Sequence, residues 1–232
     1  MPPKQKARLS KGYCDYLEAG RKQIHNRDCR QLPDMETYLQ IREDSIGWWP
    51  CAVLIEYCQG FELDDEALSH PLLLELQKNT VQHVFLTNDV TSFKKEYMQG
   101  EFNNAVSLLY FRKLYDPTRD PDSPPPTLQG AVLEAIEMIR QTDENAVRLM
   151  EQIKHCKELM NKPGMEQYLE GLALWMSGTV YWHLVSGRYG ICATTDVHEI
   201  PPDLLASHNL HIDDNKHAAR TVPKQVLTSA AC

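Results

Sequence analysis

Apolar residues in this chain recur at three- and four-residue intervals, the spacing of helices packed by one face. Tyr13, Tyr16, Leu17 and Ile24 keep that spacing and predict a first helix over residues 13–25. Pro33, followed by Asp34 and Glu36, opens a second: proline suits the first helical position, and carboxylates suit the positive end of the helix dipole. It carries Tyr38, Leu39 and Arg42 and is predicted to break where Gly47 and Pro50 fall close together. Helical spacing resumes over 51–57, and a turn covers 60–65. Asp64-Asp65-Glu66, just before Ala67, reads as capping charge, because three adjacent acids cannot face one ion on a helix.

Between Leu72 and Met98 there is no glycine or proline, so a single long helix is predicted after His70-Pro71. It yields at Gly100 and resumes through Asn103, Val106, Leu109 and Phe111, before a proline-rich linker over 116–127. The span 128–159 reads as two amphipathic helices or one interrupted near Asp143, stopped by Pro163-Gly164. The last strong helix covers 165–187, and Trp175, Trp182 and Tyr189 follow one another at intervals of seven. Beyond residue 192 the helical pattern fades. Residues 193–232, with His208 and His211 among four histidines, read as a polar, partly ordered tail. The predicted fold class is all-α.

Composition narrows the function. A 42% hydrophobic and 24% charged chain of 232 residues is an ordinary globular protein, and its net charge of -8 argues against nucleic acid or an anionic membrane as partner. No apolar run approaches the span of a bilayer and the N-terminal residues lack a signal-peptide core, which points to the cytosol. Seven scattered cysteines without a Cys-x-x-Cys pair exclude a disulfide framework and structural zinc as the leading readings.

The chemistry gathers on the long helix. Asn88, Ser92 and Glu96 stand at i, i+4 and i+8 and project from one stripe of about 12 Å. An amide oxygen, a hydroxyl and a carboxylate suit magnesium, and Lys95 beside them suits an anionic phosphate. The same residues also describe a solvated helix face held by ordinary side-chain pairs.

The motif Asn88-Asp89-x-x-Ser92-x-x-Lys95-Glu96 resembles the second metal-binding motif of class I terpene synthases, which ionise a prenyl diphosphate and steer the carbocation into a hydrocarbon. Two further segments extend the resemblance in the family's order. Tyr38-x-x-x-Arg42-x-x-Ser45-Ile46-Gly47 looks like the broken helix in which an arginine senses the diphosphate; Arg42 would be the sensor, Ser45 the linker, and Ile46 or Gly47 the effector. Trp182 to Arg188-Tyr189 resembles the terminal helix, where Trp182 would face the carbocation while Arg188 and Tyr189 bind the diphosphate.

The resemblance implies magnesium as cofactor, farnesyl diphosphate as substrate, a sesquiterpene cyclase activity, and the class I terpenoid synthase helical bundle. Residues 1–192 would form the C-terminal portion of its α-domain. The family's first, Asp-rich metal motif does not occur among the 41 residues before Arg42. The bundle is therefore expected to be truncated on its N-terminal side, with a second chain as a possible source of the missing half. A non-catalytic helical remnant or partner subunit is the alternative. A prenyl-elongating synthase fits less well, since its second metal motif is Asp-rich.

Overall fold

The computed structural model describes residues 1–28 and 32–189, and the expected tail lies outside the described residues. The described residues form α1 (Pro3–Asp28), α2 (Met35–Ser45), α3 (Trp48–Gln59), α4 (Asp65–Leu68), α5 (Pro71–Met98), α6 (Ala105–Leu114), α7 (Leu128–His155), α8 (Lys157–Met160) and α9 (Met165–Val185). Among them there is no strand, as the pattern predicted.

Helix boundaries follow local capping chemistry. The Asp34 carboxylate accepts from Thr37 N at 2.8 Å, so Asp34 is the cap and Met35 the first residue of α2; Pro33, predicted to open the helix, lies just before it. The break falls at Gly47, whose φ of 73° suits glycine. Pro50 sits inside the first turn of α3, where its missing N–H is no loss, and does not make the break. Asp64 caps α4 through Ala67 N at 2.8 Å, as expected from its place. Thr127 caps α7, which runs unbroken for 28 residues, so no interruption occurs at Asp143.

The largest departure is α1, which begins ten residues before Tyr13. Its early turns are held by tertiary partners that a periodicity scan does not see. Gln5 Nε2 donates to Phe61 O at 2.6 Å, and Arg8 Nη2 meets the buried Glu56 carboxylate at 2.6 Å. The apolar stripe that predicted this helix is not its packed face: Tyr13, Leu17 and Ile24 are 52%, 68% and 52% exposed.

Helix α5 is the axis of the bundle. Helices α2, α6, α7 and α9 pack around it, and Leu73, Leu76, Val81 and Phe85 are fully buried along its length. Tyr38, Trp48, Leu149, Ile153, Tyr168 and Leu172 complete the core from the neighbouring helices. Helix α9 approaches α3 closely at Gly171, where a Cβ would lie 2.4 Å from Ile55 Cγ2. The functional half of α5 is thereby enclosed by α2, α6 and α9.

One buried polar group in this axis makes stability depend on pH. His83 is buried between α5 and α7, with Nε2 3.8 Å from Asp143 Oδ1 and Nδ1 without a partner among the described residues. Burial lowers its pKa below the ordinary 6.5 and outweighs the attraction of Asp143. A depressed folded pKa means that the unfolded chain binds the proton first. Stability is then complete above about 6.5 and lost as pH falls toward the folded value. Thermal unfolding is expected at lower temperature at about pH 5.5 than at about pH 7.5, on either side of the ordinary histidine value of about 6.5. His83→Gln is expected to reduce that difference, and an undiminished difference would assign it elsewhere.

Candidate metal and diphosphate site

The site is built on the C-terminal half of α5 and fixed by one carboxylate. Asp89 is 1% exposed; its Oδ1 accepts from Arg42 Nη2 at 2.8 Å, and its Oδ2 accepts from the Tyr38 hydroxyl and from Ala105 N at 3.1 Å. One side chain thus ties α2 and the start of α6 to α5. Burial works against the Arg42 charge, but the adjoining Asp89 carboxylate outweighs it and raises the guanidinium pKa. The Tyr38 hydroxyl is pushed up by burial and by Asp89, so it stays protonated and donates.

Held in this way, Arg42 reaches the predicted metal stripe. The same Nη2 donates to Asn88 Oδ1 at 2.9 Å, while Phe85 lies under the guanidinium at 5.9 Å. On the other side, Asn88 Nδ2 meets His183 Nε2 at 3.0 Å and the Tyr189 hydroxyl at 3.0 Å. The rings of His183 and Tyr189 stack at 4.8 Å, and the Trp182 ring meets Tyr189 edge-on at 5.8 Å. Arg42, Asn88 and Tyr189, 147 residues apart at the extremes, therefore form one hydrogen-bonded unit.

The remaining candidates divide between this unit and its rim. Ser92 is buried one turn along α5, and its Oγ has no hydrogen-bond partner among the described residues. Glu96 Oε2 accepts from Asn104 Nδ2 at 2.9 Å; Asn104 also bonds Asp89 O at 2.8 Å and caps α6 through Val106 N at 2.9 Å. Lys95 is exposed in the last turn of α5. Arg188 is exposed as well, with its Cζ 5.7 Å from the Tyr189 ring, and Trp182 is 48% exposed. Ser45 is buried with its Oγ unpartnered among the described residues, Ile46 packs on the core, and Gly47 O accepts from Cys51 Sγ at 3.4 Å. These three lie one turn beyond Arg42, since Ile46 N still bonds Arg42 O at 3.1 Å.

Residue patterns alone gave no role to Asp89, Asn104 or His183. Asp89 stands at a fixed place in the motif, and Tyr38 and Arg42, four apart on α2, both turn to it. Asn104 carried a signal of its own, an Asn directly before an apolar helix. His183 carried none.

The donor set fits a hard divalent cation. Amide, hydroxyl and carboxylate oxygens are ligands of that class, and the buried Ser92 hydroxyl carries a desolvation cost that a bound cation offsets. A second group, His70, Cys156 and Glu158, has ligand atoms within 4.8 Å of one another at the far end of α5. There, His70 Nδ1 accepts from Leu72 N at 3.2 Å, so in the neutral ring Nε2 carries the proton and has no lone pair for a metal.

Residues 1–116 match the family model described as terpene synthase family 2, C-terminal metal binding, which is half of the chain and includes the whole α5 motif. The chain belongs to this terpene synthase family. Its curated relatives include alpha-muurolene synthase of Coprinopsis cinerea, 28% identical over 187 residues covering 81% of this chain and 41% of that protein. Pristinol synthase of Streptomyces pristinaespiralis is 28% identical over 200 residues, covering 83% of this chain and 51% of that protein. The chain spans about half the length of the curated relatives it matches.

Among solved structures, the linalool/nerolidol synthase of Streptomyces clavuligerus in complex with 2-fluorogeranyl diphosphate superposes with a TM-score of 0.69 at 22% identity, covering 79% of this chain and 59% of that one. Germacradien-4-ol synthase from Streptomyces citricolor gives a TM-score of 0.65 at 22% identity, covering 80% and 57%. The fold of this terpene synthase chain is the all-α class I bundle. Its family places it among metal-binding domains. No helix among the described residues is long and apolar enough to cross a membrane.

Proposed function

We propose that residues 1–192 form the metal- and diphosphate-binding portion of a class I terpene synthase α-domain, a cytosolic sesquiterpene cyclase acting on farnesyl diphosphate with magnesium. The observation that carries this reading is the hydrogen-bonded unit of Arg42, Asn88 and Tyr189 beside the orphaned Ser92 hydroxyl. It brings a guanidinium from α2, oxygen donors from α5 and a phenol from just after α9 to one place.

In this reading Asn88, Ser92 and Glu96 would hold a magnesium ion, which supplies Lewis-acid stabilisation of the charge on the departing diphosphate. Arg42 is held in place by Asp89 while the same Nη2 donates to Asn88 Oδ1, the contact a diphosphate oxygen would compete for on binding. Lys95 and Arg188, both exposed, add positive charge to a chain that is acidic overall. Tyr189 donates its hydroxyl proton, since burial raises its pKa and keeps it neutral. Trp182 offers a ring face to the carbocation. Ser45, Ile46 and Gly47 form the break, where the left-handed residue interrupts the helical ladder and leaves backbone carbonyls for the reacting end.

A second chain that supplies the N-terminal half, with the Asp-rich ligands of the other metals, would complete the site. Relatives of about twice the length support that, as do the exposed Tyr13, Leu17, Ile24, Tyr181 and Trp182. The half-exposed Trp182 also favours a second reading, a non-catalytic remnant that keeps the motifs by descent. Incubation of the folded chain with farnesyl diphosphate and magnesium separates the two. A cyclic hydrocarbon that disappears on chelation is the result expected of the enzyme; its absence both alone and with the N-terminal half of a relative would establish the remnant.

A further inference from the structure

We propose that His183 is a positioning residue which, through a single tautomer, fixes the Asn88 amide with Oδ1 turned toward the metal. This rests on the reading of Asn88, Ser92 and Glu96 as ligands and adds to it a group from α9 that touches neither metal nor substrate.

The argument starts from a backbone carbonyl. Thr179 O lies 2.7 Å from His183 Nδ1, and a carbonyl only accepts, so Nδ1 carries the ring proton. In the neutral ring Nε2 is then a lone pair. The group 3.0 Å from it is the Asn88 amide, which must present N–H rather than oxygen. The second proton on that nitrogen goes to the Tyr189 hydroxyl at 3.0 Å. With both amide protons engaged, Oδ1 is left on the opposite side, 2.9 Å from Arg42 Nη2.

That orientation matters because the two ends of an asparagine amide are nearly the same size and opposite in polarity. A rotor turned the other way would aim N–H donors at a cation. Arg42 also favours the observed orientation, but the diphosphate competes for that guanidinium once it binds. His183 makes no such exchange: it is 4% exposed, anchored to its own helix, and stacked on Tyr189. The chain of constraints runs from Thr179 O through the imidazole to Asn88. Ligand geometry on α5 is therefore set by the docking of α9, 95 residues away in sequence.

The test uses Mn2+ as a paramagnetic probe, titrated into the 232-residue chain and followed by electron paramagnetic resonance. His183→Phe, which keeps the ring and removes the acceptor, is expected to weaken Mn2+ binding about tenfold, the lower end of what supporting groups contribute. His183→Gln, whose Oε1 can accept from Asn88 Nδ2, is expected to recover most of that loss, which a merely structural role would not do. Glu96→Ala serves as the reference. Unchanged affinity in His183→Phe, with weakened affinity in Glu96→Ala, overturns the positioning role. Unchanged affinity in both overturns the metal reading instead. A measurement on the unsubstituted chain covers the case in which His183→Phe does not fold: nitrogen-15 NMR of His183 at neutral pH is expected to show the Nδ1–H tautomer, and the Nε2–H tautomer would overturn the proposal.

Discussion

Asp89→Ala is expected to destabilise the chain by about 3–5 kcal/mol, the cost of leaving one member of a buried ion pair alone. The Asp89 side chain is 2% exposed and its Arg42 partner 11%, so water cannot replace the lost contact. The substitution also strands the Tyr38 hydroxyl and Ala105 N, both of which use Asp89 Oδ2. With a urea dependence of about 2 kcal/mol per molar, the unfolding midpoint is expected to fall by about 2 M. A double substitution, Asp89→Leu with Arg42→Met, removes both charges and is expected to cost less than the sum of the two single changes. A midpoint unmoved in Asp89→Ala would mean that Arg42 is stabilised by groups other than those seen around it.

The order of helices was legible where chemistry that acts locally punctuates them, as at Asp64 before Ala67, Pro71 after His70 and Gly164 before Met165; the short α8, without a side-chain cap, was not. The stripe on α5 was legible for the same reason, since spacing along one helix fixes which side chains share a face. What patterns along the chain could not show is whatever depends on two helices meeting. The early turns of α1 are polar and become helical through Phe61 and Glu56, contacts made 48 or more residues away. The stripe of Tyr13, Leu17 and Ile24 located the helix over 13–25 but lies exposed, because periodicity reports amphipathicity and not what covers it. Asp89 illustrates the same limit inside the site. Its motif position was visible, but its role depends on where α2 places Tyr38 and Arg42. The exposure of Lys95 and Arg188 follows from their places at helix ends, where side chains lie at the rim of the bundle.

The sharpest separation between structure and function is expected at Glu96 and Ser92. Glu96 brings the one formal negative charge among the three proposed oxygen ligands, and hard cations are held chiefly by such charge. Glu96→Ala is therefore expected to weaken Mn2+ binding by at least about 100-fold, or about 2.7 kcal/mol at 1.36 kcal/mol per factor of ten. Its cost to folding is expected to be near 1 kcal/mol, because in the folded chain it loses one hydrogen bond, from Asn104. Ser92→Ala is expected to move the two quantities in opposite directions. It removes a buried hydroxyl that has no partner among the described residues, so the metal-free chain gains about 1 kcal/mol of stability, while the metal loses a proposed ligand. Calorimetric titration with Mn2+ and urea unfolding on the same samples measure both. A Ser92→Ala chain that is less stable than the parent would show that the hydroxyl has a structural partner, and the case for a cation offsetting its burial would fall with it. A more stable chain that binds metal less well is what a site carrying its strain for the sake of a ligand should give.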